Sequence, residues 1–265
     1  MMPKELMPQD LADTAEALTA RQEPFAFATI VRTAGATAAK PGAKALLAAD
    51  GTVLQGWLGG GCTTGAVRRA AQEALASGTP QLVSVAPQEL LAERGVSAGE
   101  MVAGTRFVRN GCPSEGSVDI FIEPCLPSPE LLVFGASPVA EALAALAPQF
   151  HWEMTQRAAE DALAPAAGPR RRVIVVATQG QGDLVALKTA LGAGAEHVAF
   201  VGSRKKYAAL AQKLIAQGHP EDAVRAVSAP AGLDIGAVTP EEIALSILAE
   251  LTRIRRAPPC EAADA

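Results

Sequence analysis

The sequence has few of the residues that build metal sites or disulfide frameworks. Cys62, Cys112, Cys125 and Cys260 are widely spaced with no CxxC pair, which argues against a zinc ribbon and predicts four free thiols. Histidine is equally sparse: His151, His197 and His219 are scattered, so a metal site built from protein ligands alone has little support. Basic clusters are also missing. The formal net charge is -5 and the pI is near 5.3, which argues against nucleic acid as a partner, because phosphate backbones demand grouped Lys and Arg. The short basic run Gly202 to Lys206, GSRKK, reads as the solvated start of a helix. No apolar run approaches the roughly 18 residues of a membrane span, and the opening MMPKELMPQD lacks the apolar centre of a signal peptide. A cytoplasmic protein with no membrane span is the expectation.

What is present is a chain of 265 residues, 49% hydrophobic, enough for one large or two small domains. A short helix is predicted around Asp10 to Ala20, then a strand from Phe25 to Arg32. Two apolar runs flank Asp50 and Gly51, a strong hairpin signal, before a Gly-rich turn enters the helical stretch AVRRAAQEALA. Further strands are predicted near Leu82, near Phe107 and from Ser117. The segment from Cys125 to Glu130 holds two prolines and no periodicity, so it reads as a linker. Beyond it, strands and helices alternate as in a Rossmann-like parallel sheet. The expected class is α/β: an α+β N-terminal domain over residues 1–126, then a Rossmann-like domain over 127–265. At the end, Thr239, Pro240 and Glu242 form a capping-box start, and Ile243, Ile247, Leu251 and Ile254 recur at helical spacing.

Four places could carry chemistry. In Gly59, Gly60, Gly61, Cys62, three glycines let backbone amides approach an anion, and a thiol at the following helix start is drawn toward the thiolate. The same residues would equally make a tight turn with a small buried thiol. Cys112, in GCPSEGSVD, precedes a strand and could wall the same pocket, or simply sit in a turn. Gly135, in FGASPVAEAL, stands where a dinucleotide fingerprint begins, but Ser137 and Pro138 replace its later glycine-rich geometry, and the next strand ends in Gln156 and Arg157 rather than an acid. Gln179, in ATQGQGDL, follows a strand at the sheet edge where such folds present ligands, with Asp183 as a contact or a helix cap.

Taken together, AKPGAKALLAADG, GWLGGGC, SVDIFIEP, VVATQGQGDLVALKTAL, FVGSRKK and APAGLDIGAVTPEEIALSILAEL resemble the XdhC/CoxI family, in the same order over nearly the whole chain. The resemblance is greatest to the branch associated with CO-dehydrogenase-like enzymes. It implies an XdhC/CoxI domain followed by a Rossmann domain, working as a homodimer that transiently binds molybdenum cofactor, as molybdopterin or its cytosine dinucleotide form. It further implies protection of that cofactor during sulfuration, with a cysteine desulfurase as partner, and its insertion into the apoenzyme of a molybdenum hydroxylase of the xanthine, CO or aldehyde dehydrogenase type. Such proteins are not themselves the oxidoreductase, so no catalytic residue is assigned. The implied cofactor-binding set is Gly59, Gly60, Gly61 and Cys62, with Cys112, Gly135 and Gln179, and Cys62 is the metal ligand. The chain departs from the family at Ala36, where Ser is common, and at Cys112 to Gly116, in place of a CHSGG-like turn. The competing reading is an NAD(P)- or nucleotide-dependent enzyme built on the Rossmann domain.

Overall fold

The computed structural model describes residues 9–38, 40–111, 116–164 and 170–256, apart from the side chain of Cys62. The chain divides into two compact units, Met1–Pro127 and Ser128–Ala265.

The first unit is built on a seven-stranded mixed sheet, in the order β3-β2-β1-β7-β4-β6-β5. Its strands are β1 (Phe25–Ala34), β2 (Lys44–Ala48), β3 (Val53–Gly56), β4 (Gln81–Ala86), β5 (Met101–Val102), β6 (Thr105–Arg109) and β7 (Ser117–Cys125). All neighbours are antiparallel except β4 and β6, which run parallel. The β2–β3 hairpin turns at Asp50 and Gly51 as the sequence predicts. The helix α2 (Gly61–Ser77) covers one face. Its Ala66, Ala70, Ala71 and Ala74 lie on Ala26, Ala28 and Ala45 of the sheet, all nearly or fully buried. Small residues on both sides let helix and sheet approach closely, and Ile30, Val67, Val83 and Ile120 fill the remaining volume. Strand alternation sends Phe25 and Leu46 to the opposite face, where α1 (Gln9–Ala20) covers them with Leu11, Ala15 and Leu18. A short helix, α3 (Gln88–Glu93), follows β4 and escaped the sequence reading because six residues show no helical period.

The proposed linker, Cys125 to Glu130, loses its first residue to β7, while its two prolines lie beyond that strand. β7 continues through Pro124 and Cys125, which pair with Ala26 and Phe25. Its pairing with β4 stops at Ile122, so Pro124 lies where the strand has one neighbour, a position that tolerates a missing N–H.

The second unit holds a four-stranded parallel sheet, β11-β10-β8-β9. Its strands are β8 (Glu130–Phe134), β9 (Glu153–Arg157), β10 (Arg172–Val176) and β11 (His197–Phe200). The order reverses between β8 and β10, which makes the carboxyl ends of those strands a topological switch point. Leu131, Val133, Val173 and Val175 face α4 (Pro138–Leu146) and α8 (Pro240–Arg256). Leu132, Phe134, Ile174 and Val176 face α5 (Asp183–Gly192), α6 (Arg204–Ala216) and α7 (Glu221–Arg225). Doubly covered strands explain their unbroken apolar runs.

The capping box of α8 forms as read: the Glu242 carboxylate accepts from the backbone N–H groups of Thr239 and Val238, and Thr239 Oγ1 accepts from Glu242 N. Those N–H bonds hold the Glu242 carboxyl below its ordinary range. Of the helical stripe, Ile247 and Leu251 are fully buried and Ile243 and Ile254 pack at its margins, so it belongs to the core, at about 2 kcal/mol for each fully buried side chain. No helix among the described residues is long and apolar enough to cross a membrane.

Candidate functional site

In the first unit, the turn into α2 is made by glycine for a steric reason at one position. Gly59 has φ of 118°, a conformation that L side chains rarely adopt. Gly60 is the N-cap, with extended backbone and no side-chain cap bond; its carbonyl accepts from Thr63 N and Thr64 N. A helix's first amides have no acceptor within the helix, so this end presents donors and a positive dipole. Beyond the chain neighbours and the helix's own backbone, no atom of the described residues lies within 4 Å of where a Cβ would stand on Gly60, Gly61 or Gly65. The start of α2 therefore leaves its first backbone donors uncovered by side chains among the described residues. Cys62 is the second residue of α2, and its side chain lies outside the described residues.

Cys112 belongs to residues 112–115, also outside the described residues, but both ends of that loop are defined. Asn110 Nδ2 donates to Gly116 O at 2.7 Å, and a Cβ on Gly116 would stand 2.4 Å from Ala36 O. Gly111 lines a cavity of about 480 Å³ with Gly65, Ala66, Arg69, Val108 and Arg109. The fold thus brings the base of the Cys112 loop alongside the first turns of α2. The two arginines were not singled out in the sequence, where 40 residues separate them.

In the second unit, Gly135 and the turn holding Gln179 meet at the switch point. A cleft of about 690 Å³ is lined by Gly135 after β8, Gln156 and Arg157 at the end of β9, and Thr178, Gln181 and Gly182 after β10. Gln179 is in that last turn with φ of 52°, but it does not line the cleft.

Gly135 is needed for packing. With φ of 107°, a Cβ there would come within 2.5 Å of Ala177 O. Its carbonyl accepts from Gln156 Nε2 at 2.7 Å, and its N–H donates to Arg157 O. The start of α4, where a dinucleotide pyrophosphate would sit, is already occupied by the chain itself. Ser137 Oγ accepts from Ala140 N, and Pro138 has no N–H to offer.

Asp183 is neither a bare ligand contact nor the helix cap. Gly182 is the N-cap, and the buried Asp183 carboxylate accepts from Thr178 Oγ1 and Gly180 N and pairs with Lys206 Nζ at 2.6 Å. Burial alone would raise this carboxyl, but the bonds from Lys206 and Thr178, the Lys206 charge and the Gly180 N–H outweigh it and hold it below the ordinary range. Lys206 also stands over the Phe200 ring at 5.4 Å. One residue of the GSRKK run therefore pins the turn after β10 instead of facing solvent. Among the described residues, no group of three or more His, Cys, Asp or Glu could hold a metal ion.

Comparison with protein families matches the XdhC and CoxI family over residues 18–86 and the XdhC Rossmann domain over residues 131–251. The chain is 26% identical over 263 residues to the uncharacterized protein YqeB of Escherichia coli (strain K12), covering 89% of this chain and 44% of that protein. It therefore spans less than half the length of this curated relative. A solved structure described as a xanthine dehydrogenase from Bacillus halodurans aligns with a TM-score of 0.41 and 18% identity, covering 95% of this chain and 97% of the other.

Proposed function

Since the chain belongs to the XdhC and CoxI family, we propose that it is a maturation factor that carries molybdenum cofactor to the apoenzyme of a molybdenum hydroxylase. The observation that carries this reading is the uncapped, side-chain-free start of α2 at Gly60 and Gly61, an anion cradle with a cysteine as its next residue. Gly59 sets the turn, the first amides of α2 hold the anionic end of the cofactor, and the Cys62 thiolate, favoured by the helix dipole, meets the soft metal. Cys112 is assigned to the same cofactor by the family resemblance alone. The cofactor is cargo, in molybdopterin or cytosine dinucleotide form. Its sulfuration by a cysteine desulfurase takes place while the cradle shields it, and a cytoplasmic homodimer is the working form.

The test is anaerobic incubation of wild type and Cys62→Ala with purified cofactor, then desalting, molybdenum analysis and activation of apo-hydroxylase. Near-stoichiometric molybdenum on wild type and at least tenfold less on the variant is expected. A variant that retains cofactor and still activates its target would sink the proposal.

A second reading rests on the switch-point cleft: a nucleotide bound there with Arg157 on a phosphate and Gly135 and Gln179 in its flanking turns, serving an NAD(P)- or nucleotide-dependent enzyme. The occupied start of α4 counts against a pyrophosphate. Titration with NADPH, NADH and CTP decides, since micromolar affinity for any of them would restore an enzymatic role.

A further inference from the structure

The cavity beside α2 carries a second kind of information, which lies in its charge. Seven arginines occur in residues 1–127, and five have partners. Arg32 pairs with Asp119 and Arg106 with Glu73, and the remaining three bond to a carboxylate, a hydroxyl or a carbonyl oxygen. Arg69 and Arg109 have no partner among the described residues, and both line this one cavity. The contrast is sharpest between α2 and β6 themselves. Arg106, on β6, reaches Glu73, on α2, at 2.6 Å, whereas Arg109, three residues on, and Arg69, four residues back, meet no carboxylate. Two like charges at one cavity repel, and an acidic chain had carboxylates to spare for them. An anion between them removes the repulsion.

The walls define that anion further. Gly65 is open and Ala66 is small, so nothing bulky on α2 shields the arginines, while Val108 gives an apolar flank that packs on the core. Arg109 is held at a rigid strand end, because the next residue donates its N–H to Ala86 O at 2.7 Å and its side-chain amide to Gly116 O. Guanidinium groups match phosphate oxygens in pairs. Arg69 lies about 10 Å along the helix from its start, by the helical rise per residue.

We propose that Arg69 and Arg109 form a phosphate-monoester subsite, which takes the phosphate arm of a ligand whose other end lies at Gly60 to Cys62. The identity of that ligand as a pterin phosphate rests on the maturation reading; the phosphate site does not.

The test is calorimetric titration of the full chain with inorganic phosphate at low salt, for wild type, Arg69→Gln, Arg109→Gln, Arg69→Lys and the Arg69→Gln/Arg109→Gln double variant. Each Gln variant is expected to weaken phosphate binding about tenfold or more, and Arg69→Lys to retain part of it. Both arginines are exposed, so circular dichroism and melting should be unaltered, which separates lost binding from lost fold. No phosphate binding by wild type, or equal binding by the Arg69→Gln/Arg109→Gln double variant, would overturn the subsite. Molybdenum loading of the same variants then divides the two proposals. Arginine-dependent phosphate binding without cofactor retention keeps the subsite and removes the maturation reading. Full cofactor retention by the double variant does the reverse.

Discussion

The starts of α2 and α4 use the same ingredients to opposite ends. Each follows a strand and a glycine with positive φ, and each begins a helix whose dipole would welcome an anion. At α4 the chain consumes its own donors: Ser137 caps Ala140, Pro138 removes an N–H, and Gly135 is pressed against Ala177. At α2 there is no side-chain cap, Gly60 and Gly61 are open, and Arg69 further along the helix shares a cavity with Arg109 of β6, both without a partner among the described residues. A glycine near a helix start thus marks a ligand site only when nothing in the protein already fills the space its missing side chain leaves.

Exchanging the glycines tests that contrast most severely. Gly135→Ala should cost about 3 kcal/mol, from strained φ and a backbone collision, and lower the denaturant midpoint. Gly61→Ala should instead stabilise by up to about 1 kcal/mol, since alanine is the better helix former, while reducing cofactor retention. If both glycines proved equally costly to replace, the distinction would fail.

The turn after β10 offers a smaller effect. Asp183→Asn should cost about 2 kcal/mol at neutral pH, because charge-assisted bonds to Lys206 and Thr178 are weakened. The folded-state carboxyl is held below its ordinary value of 3.8, so its contribution is complete above that value and is lost as pH falls through the folded value. Urea titrations at neutral and strongly acidic pH should therefore show the two proteins converging in acid; a gap that persists or widens would remove the ion pair as its cause.

Smallest is Ser137→Ala, expected to cost about 1 kcal/mol by uncapping α4, read as a shift in midpoint with no change in slope. Its sharpest use is to ask whether the uncapped helix gains affinity for NADPH. No gain would assign the closure of that helix start to Pro138 and the Gly135 packing.

Much of the fold was legible in the sequence because it is local. The Asp50 and Gly51 hairpin, the Thr239 to Glu242 capping box and the doubly covered strands are written in neighbouring residues. The glycines before Cys62 were legible as a tight turn into a helix for the same reason. Two features were not. Cys125 looked like linker because the sequence does not reveal its pairing with Phe25 across the sheet. Lys206 looked solvated because its partner, Asp183, comes from another strand-to-helix turn.

The sequence by itself determined most of the longer helices and strands, where α8 starts, and the family to which the chain belongs, since periodicity, caps and motifs act over a few residues. Only the tertiary structure decided that Gly135 is packed while Gly60 and Gly61 are open, and that Arg69 and Arg109 share a cavity. The close approach of Ala177 to Gly135, and of β6 to α2, depends on how strands order themselves within a sheet, and no local pattern encodes that.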